Sequence, residues 1–263
     1  ELDTMDIDGK EIQPENYDIR LSDVTFSYDK RKIIDGVSLS IPEKTTTAIV
    51  GPSGGGKSTL CNLISRFWDV DSGEVTLGGV NVKDYSMNSL MNNFSFVFQT
   101  VYLFADTIEN NIKFGRQDAT HEEVVAAAKK ACCHEFISQL PNGYDTVIGE
   151  GGATLSGGEK QRISIARAIM KDAPIVILDE ATANVDPENE KELMDAVDAL
   201  TREKTIIMIA HRLSSVTGVD RVYVLKNGQI NQSGKHNELA ESGGLYAHMW
   251  EEYNKSVNWK VGV

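Results

Sequence analysis

The chain has 263 residues, 41% of them hydrophobic and 25% charged, the proportions of a chain that packs a core. Its 26 Lys and Arg stand against 39 Asp and Glu, a net charge of −13 with a pI near 4.8. Such a field repels phosphate backbones and anionic headgroups and argues against a broad nucleic-acid-binding surface.

Cys61, Cys132 and Cys133 are too few and too badly spaced for a disulfide framework or a zinc site, so a reduced, cytosolic setting is expected. No apolar run approaches the roughly 18 residues that span a bilayer, and no signal peptide is present. The chain opens at Glu1 rather than Met, which reads as a piece of a longer protein.

Residues 1–23 hold eight acidic residues against Lys10 and Arg20 and read as a solvated linker. Alternating strands are predicted over 21–28 and 33–41, the second after a charged turn, and a β-branched strand over 45–50. A helix is predicted over 57–68 from Leu60, Leu63, Ile64 and Phe67, with further strands over 73–77 and 94–98. The stretch 107–171 is mostly helical, with an alanine-rich helix at 122–132 and another at 158–170. Beyond Pro174 strands at 175–178, 205–210, 221–225 and 229–232 and a helix at 188–200 restore the α/β pattern, and a helix at 245–253 closes it. Strands alternating with helices imply a mostly parallel sheet, and the helical block is expected to be an inserted subdomain.

Gly51-Pro-Ser-Gly-Gly-Gly-Lys-Ser58 follows a predicted strand and opens a predicted helix, the setting of a phosphate loop. Gly54, Gly55 and Gly56 let backbone N–H groups turn inward at the positive end of the helix; Lys57 adds a charge on the β/γ-phosphates, and the Ser58 hydroxyl suits Mg²⁺. The loop therefore binds a nucleoside triphosphate; Ser53 and Thr59 flank the same cradle.

Ile175-Val-Ile-Leu-Asp179-Glu180 ends a buried strand in two carboxylates. Such a strand delivers them to the sheet edge where α/β folds bind ligands. Asp179 suits Mg²⁺ through water, and Glu180 suits proton abstraction from an attacking water; adjacent acids beside a triphosphate call for the metal. Two other strands end in Gln99 and His211, which places a metal and lytic-water contact and a γ-phosphate hydrogen bond at the same edge. Leu155-Ser-Gly-Gly-Glu-Lys-Gln161 precedes a helix. On physical grounds alone Ser156 reads as that helix's N-cap.

Together the phosphate loop at 51–58, Gln99, residues 155–159, Asp179-Glu180, Asp186 and His211, in this order and spacing, resemble the nucleotide-binding domain of ABC transporters over about residues 21–250. The resemblance implies an α/β P-loop NTPase fold: a mostly parallel core, a small antiparallel β layer and a helical subdomain at about 100–171, between an acidic linker (1–20) and a C-terminal tail (251–263). It further implies an Mg²⁺-dependent ATPase in which two domains pair head to tail. Each ATP would then lie between one phosphate loop and the partner's Ser156, Gly157, Gly158 and Glu159, with adenine stacked on Tyr28, 23 residues before Gly51. The alternative for Tyr28 is a strand residue packing the antiparallel layer.

Leu103-Phe104, Thr107-Ile108-Glu109-Asn110-Asn111-Ile112 and the ending Gly234-Lys-His-Asn-Glu-Leu-Ala240 with Gly244-Leu-Tyr246 are similar to exporter-type members. In those, a membrane domain precedes this one and the ATPase lies at the cytoplasmic face. Nucleic acid is not an expected partner. Three departures stand out: Glu159 where Gln is commonest, Ala183-Asn-Val-Asp186 where Ser-Ala-Leu-Asp is typical, and Gly149-Glu-Gly-Gly152 without an Arg that many exporters carry. The competing readings are a binding-only half of a heterodimer, from which a catalytic Glu or His is usually missing, and a soluble ABC-type ATPase acting on nucleic acid or ribosomes.

Overall fold

A computed structural model describes residues 9–149, 155–179, 187–210 and 213–261. In chain order its elements are strands β1 (Ile19–Tyr28), β2 (Arg31–Ile41) and β3 (Thr46–Val50), helix α1 (Lys57–Ile64), strands β4 (Ser72–Leu77) and β5 (Val80–Asn81), helix α2 (Met87–Met91) and strand β6 (Phe94–Val97). Helices α3 (Ile108–Lys113), α4 (His121–Lys130), α5 (His134–Gln139) and α6 (Gly157–Lys171) follow. Next come β7 (Ile175–Asp179), α7 (Pro187–Thr201), β8 (Thr205–Ile209), β9 (Arg221–Lys226), β10 (Gln229–Gly234), α8 (His236–Glu241) and α9 (Leu245–Val261). The chain divides into two compact units: Glu1–Phe94 with Thr205–Val263, and Ser95–Lys204.

The first unit is built on two sheets. Alternation in β1 buries Ile19, Leu21, Val24 and Phe26 and leaves Arg20 and Ser22 outside, the period-2 signature of a strand with one wet face. These residues pair across β2 in the antiparallel order β2-β1-β4-β5, with Ile19 opposite Ile41 and Tyr28 opposite Arg31. In the other sheet β3 lies between β8 and β9 and runs parallel to both. A strand flanked on both sides reads as a continuous apolar run, and Ala48, Ile49 and Val50 are all fully buried. Val222, Val224, Leu213, Leu239 and Tyr246 complete that core.

Residues 10–12, expected to be solvated linker, are hydrogen-bonded in place. The Lys10 N–H donates to the Asp84 carbonyl at 2.8 Å, the Ser86 N–H to the Lys10 carbonyl at 2.7 Å, and the Ile12 N–H to the Ser89 hydroxyl at 2.9 Å. Backbone pairing of this kind needs no apolar pattern, so the acidic composition concealed it.

The second unit takes in β6, β7 and α7 as well as the helices expected at 100–171. The strands β6 and β7 are neighbours. In α6, Ile163, Ile165 and Ala166 are fully buried, so this helix is enclosed on more than one face. Its companions come close: a Cβ on Gly115 would sit 2.3 Å from the Arg167 carbonyl, which only glycine permits.

Candidate nucleotide site

The phosphate loop leaves the sheet at the carboxyl end of β3. Gly51 turns the chain there with φ 144°, and a Cβ on it would lie 2.0 Å from the Leu225 carbonyl of β9. Gly56, at φ 99°, is the N-cap of α1 and supplies no side-chain cap. No acid occupies the helix's first turn either. A helix start normally recruits a Ser, Asp or Glu to its amides; this one leaves that role to a ligand.

Lys57 at the first helical position is a cation at the positive end of the dipole, the opposite of the usual preference. It is 6% exposed, and its Nζ donates to the Gly51 carbonyl at 2.9 Å and the Pro52 carbonyl at 3.0 Å. These carbonyls offset part of the cost of burying an ammonium and hold its charge inside the curve of the loop. The arrangement is preset for a polyanion. Ser58 is exposed on the next helical position, and Thr59 half-buried.

A cleft of about 340 Å³ opens over the loop, lined by Ser53, Gly54, Gly56, Lys57, Ser58 and Thr59 on one side and by Tyr28, Arg31 and Ile33 of the β1–β2 hairpin on the other. Tyr28 is gripped by two rings, Phe26 at 4.8 Å and 88° and Trp68 at 5.4 Å and 85°. Tyr28 thus packs the antiparallel layer, as its alternative reading has it, and also borders the cleft. Arg31 and Ile33 were not singled out in the sequence, because the predicted strand began only at residue 33. No pattern announces it: four charged residues, Asp29 to Lys32, part Tyr28 from Ile33, and only the observed two-residue turn sets residue 31 opposite residue 28.

In the second unit Gln99 is exposed two residues beyond β6, and Asp179 is the half-buried last residue of β7. Neighbouring strands thus each end in a metal-compatible oxygen donor. Ser156 caps α6: its hydroxyl accepts from the Glu159 N–H at 3.3 Å, while the Glu159 carboxylate accepts from the Ser156 N–H at 2.7 Å, a reciprocal capping box. The N-cap reading of Ser156 is therefore realised. Gly157 is exposed, with open space where a Cβ would stand, and Gly158 is buried. Glu180, Asp186 and His211 lie outside the described residues. The phosphate loop and Tyr28 belong to the first unit; Gln99, Asp179 and residues 156–159 belong to the second.

The ABC transporter family model matches residues 34–183. The chain is 48% identical over 235 residues to an ATP-dependent lipid A-core flippase of Desulfotalea psychrophila, covering 89% of this chain and 41% of that one. It is also 48% identical over 238 residues to a protein of Staphylococcus aureus named for multidrug export as an ATP-binding/permease protein, with 90% and 41% covered. Among solved structures, a bacterial Atm1-family ABC exporter with ATP bound superposes with a TM-score of 0.88 at 40% identity, over 93% of this chain and 43% of that one. The chain spans about two fifths of the length of these relatives. With a phosphate loop at the head of α1, the P-loop α/β fold and these likenesses, the chain belongs to the ABC transporter family as the ATP-binding ATPase domain of an exporter-type member.

Proposed function

We propose that the chain binds and hydrolyses Mg·ATP in a head-to-tail pair of such domains and so powers export by a membrane domain. The observation that carries the reading is the loop itself: an uncapped helix start, a buried Lys57 ammonium held by two carbonyls, and a cleft bordered by Tyr28. Adenine stacks on Tyr28, and the triphosphate follows the loop from Ser53 to Thr59 with its γ end at Lys57.

The donor set suits Mg²⁺. Among the described residues there is no group of three or more His, Cys, Asp or Glu that would hold a metal by itself. One hydroxyl (Ser58), one carboxylate (Asp179) and one amide (Gln99), completed by phosphate oxygens, are the sparse hard-oxygen ligands that Mg²⁺ takes beside a nucleotide. Bound there, the ion would neutralise charge on the β- and γ-phosphates. Glu180 accepts a proton from the attacking water, Gln99 orients that water, and His211 donates to the γ-phosphate. Lys57 counters the charge that grows on the phosphoryl oxygens. Ser156 and Gly158 of a second copy close the site from the far side. Their support is the exposed N-terminal face of α6, where Ser156 and Gly157 are open to solvent.

No helix among the described residues is long and apolar enough to cross a membrane; in the transport reading this domain lies at the cytoplasmic face against a membrane domain. In the second unit Tyr102 is 63% and Phe114 56% exposed beside Phe104 and Arg167, an apolar surface fit for that contact. The deciding experiment is Glu180→Gln. It retains ATP affinity, loses nearly all Mg-ATPase turnover and traps the paired state on size-exclusion chromatography. A variant that hydrolyses at the wild-type rate removes Glu180 from the mechanism.

A further inference from the structure

The nucleotide cleft contains a second cation besides Lys57, and none of the motifs accounts for it. Arg31 is exposed and lines the cleft together with Tyr28 and the phosphate loop. Its position is set twice over. It is the direct cross-strand partner of Tyr28, and directly opposed residues in an antiparallel pair project to the same face of the sheet. It is also two residues from Ile33, which shares its face of β2. Ile33 in turn borders the loop: a Cβ on Gly56 would lie 3.2 Å from the Ile33 carbonyl and 3.5 Å from its Cγ2. Arg31 therefore stands two residues, about 7 Å of strand, from Ile33, the residue that borders the head of α1, and lines the same cleft as Tyr28.

Its electrostatic surroundings single it out further. The neighbouring Lys32 is paired with Asp35 at 2.9 Å, and Gln229 donates to the same carboxylate. Arg31 has no ion-pair partner among the described residues. In a chain of net charge −13 an approaching polyanion meets a repulsive field, so an uncompensated guanidinium on the cleft wall acts where it is most needed. Guanidinium presents a fork of N–H donors matched to phosphate oxygens.

We propose that Arg31 is a nucleotide-binding residue that pairs with the sugar-proximal phosphate of the bound nucleotide, between the base on Tyr28 and the terminal phosphates on the loop. The inference rests on the ATP-binding reading above, and the test separates the two. Equilibrium binding of ATP, ADP, adenosine and inorganic triphosphate is measured for the wild type, Arg31→Gln, Arg31→Lys and Lys57→Ala. Arg31→Gln raises the Kd of ATP and of ADP alike, by about five- to tenfold at low salt, and leaves adenosine unchanged. Inorganic triphosphate, which needs only the loop, weakens by less than about twofold, and Arg31→Lys recovers part of the loss. The difference narrows at about 0.5 M salt, since an exposed ion pair is screened.

ATP binding by Arg31→Gln within about twofold of the wild type overturns the assignment. So does an equal loss for adenosine, which would put the guanidinium on the base. If the wild type binds no ATP, or Lys57→Ala binds as well as the wild type, the phosphate-loop reading itself falls. Wild-type binding that Lys57→Ala abolishes and Arg31→Gln leaves intact removes Arg31 alone.

Discussion

Single residues in this protein hold positions that local preference opposes, and the opposition marks function. Lys57 sits at the positive end of α1, against the dipole, with its ammonium drawn to two carbonyls. Gly56 gives up a capping side chain at the same point. Residues 156–159 show the contrary case: at the head of α6 every local preference is met. Glu159 in place of the commoner Gln preserves the capping box, because either side chain accepts from the Ser156 N–H. The box also fixes how Ser156 meets a ligand, since its oxygen accepts from Glu159 while its O–H stays directed by rotation. Glu159→Gln therefore keeps the box and gives up only the carboxylate's attraction to the helix dipole, about 0.3 kcal/mol. Glu159→Ala costs about 0.5–1 kcal/mol, read as a fall in the urea midpoint, and slows ATP turnover that Glu159→Gln sustains. Equal turnover in both variants would show that the box does not position Ser156.

At the scale of elements, helix ends were where pattern reading failed, for an identifiable reason. The helix predicted to run to residue 68 stops at Ile64, and the one predicted to reach 132 stops at Lys130. Both end in Schellman motifs. The Phe67 N–H donates to the Asn62 carbonyl and the Arg66 N–H to the Leu63 carbonyl; the Cys133 N–H donates to Ala128 and the Cys132 N–H to Lys129. The left-handed residue that closes such a motif is usually Gly, but here it is Arg66 (φ 56°) and Cys132 (φ 52°). At Arg66 a tertiary contact offsets that strain. Its buried guanidinium donates to Asp69 and to the Tyr85 carbonyl, both at 3.1 Å, and no sequence pattern announces this.

Helix starts were easier to foresee, because capping is local. The Thr120–Glu123 box opens α4, and the Thr120 N–H together with Arg116 holds the Glu123 carboxyl below its usual range. A carboxyl with a lowered folded-state pKa contributes stability above its ordinary value near 4.3 and loses it as pH falls through the lowered value. Glu123→Gln is accordingly less stable than the wild type at pH 7, and the difference shrinks in acid as pH falls through the lowered value. Thr120→Ala, which removes the uncharged half of the box, costs about 1 kcal/mol at pH 7 and in acid alike. Urea titrations at pH 7 and in acid check both statements.

For the whole molecule the charge balance governs assembly. Two chains of −13 each repel at long range, so the proposed pairing requires bridging nucleotides and desolvated contacts rather than diffuse attraction. Mg-ATPase activity per molecule therefore rises with protein concentration and levels off once pairs form. A rate per molecule that is constant across the range would mean that a single chain completes its own site. The alternative partners give clear contrasts: DNA or RNA leaves the rate unchanged, as the acidic surface requires.

What the sequence determined by itself was whatever depends on near neighbours: the phosphate loop between strand and helix, the Ser156 cap, the buried β-branched run of β3 and the acid at the end of β7. These follow from backbone freedom, side-chain hydrogen bonding and hydrophobic period over a few residues. Only the tertiary structure decided the rest. It docked residues 10–12 against 84–89 through hydrogen bonds, extended α9 to Val261, and stopped α1 at a left-handed arginine held by a carbonyl 19 residues away. It also brought Trp68 to the ring of Tyr28. Those contacts join residues far apart in the chain, and their free energy comes from desolvated hydrogen bonds and ring packing that have no periodic trace in the sequence.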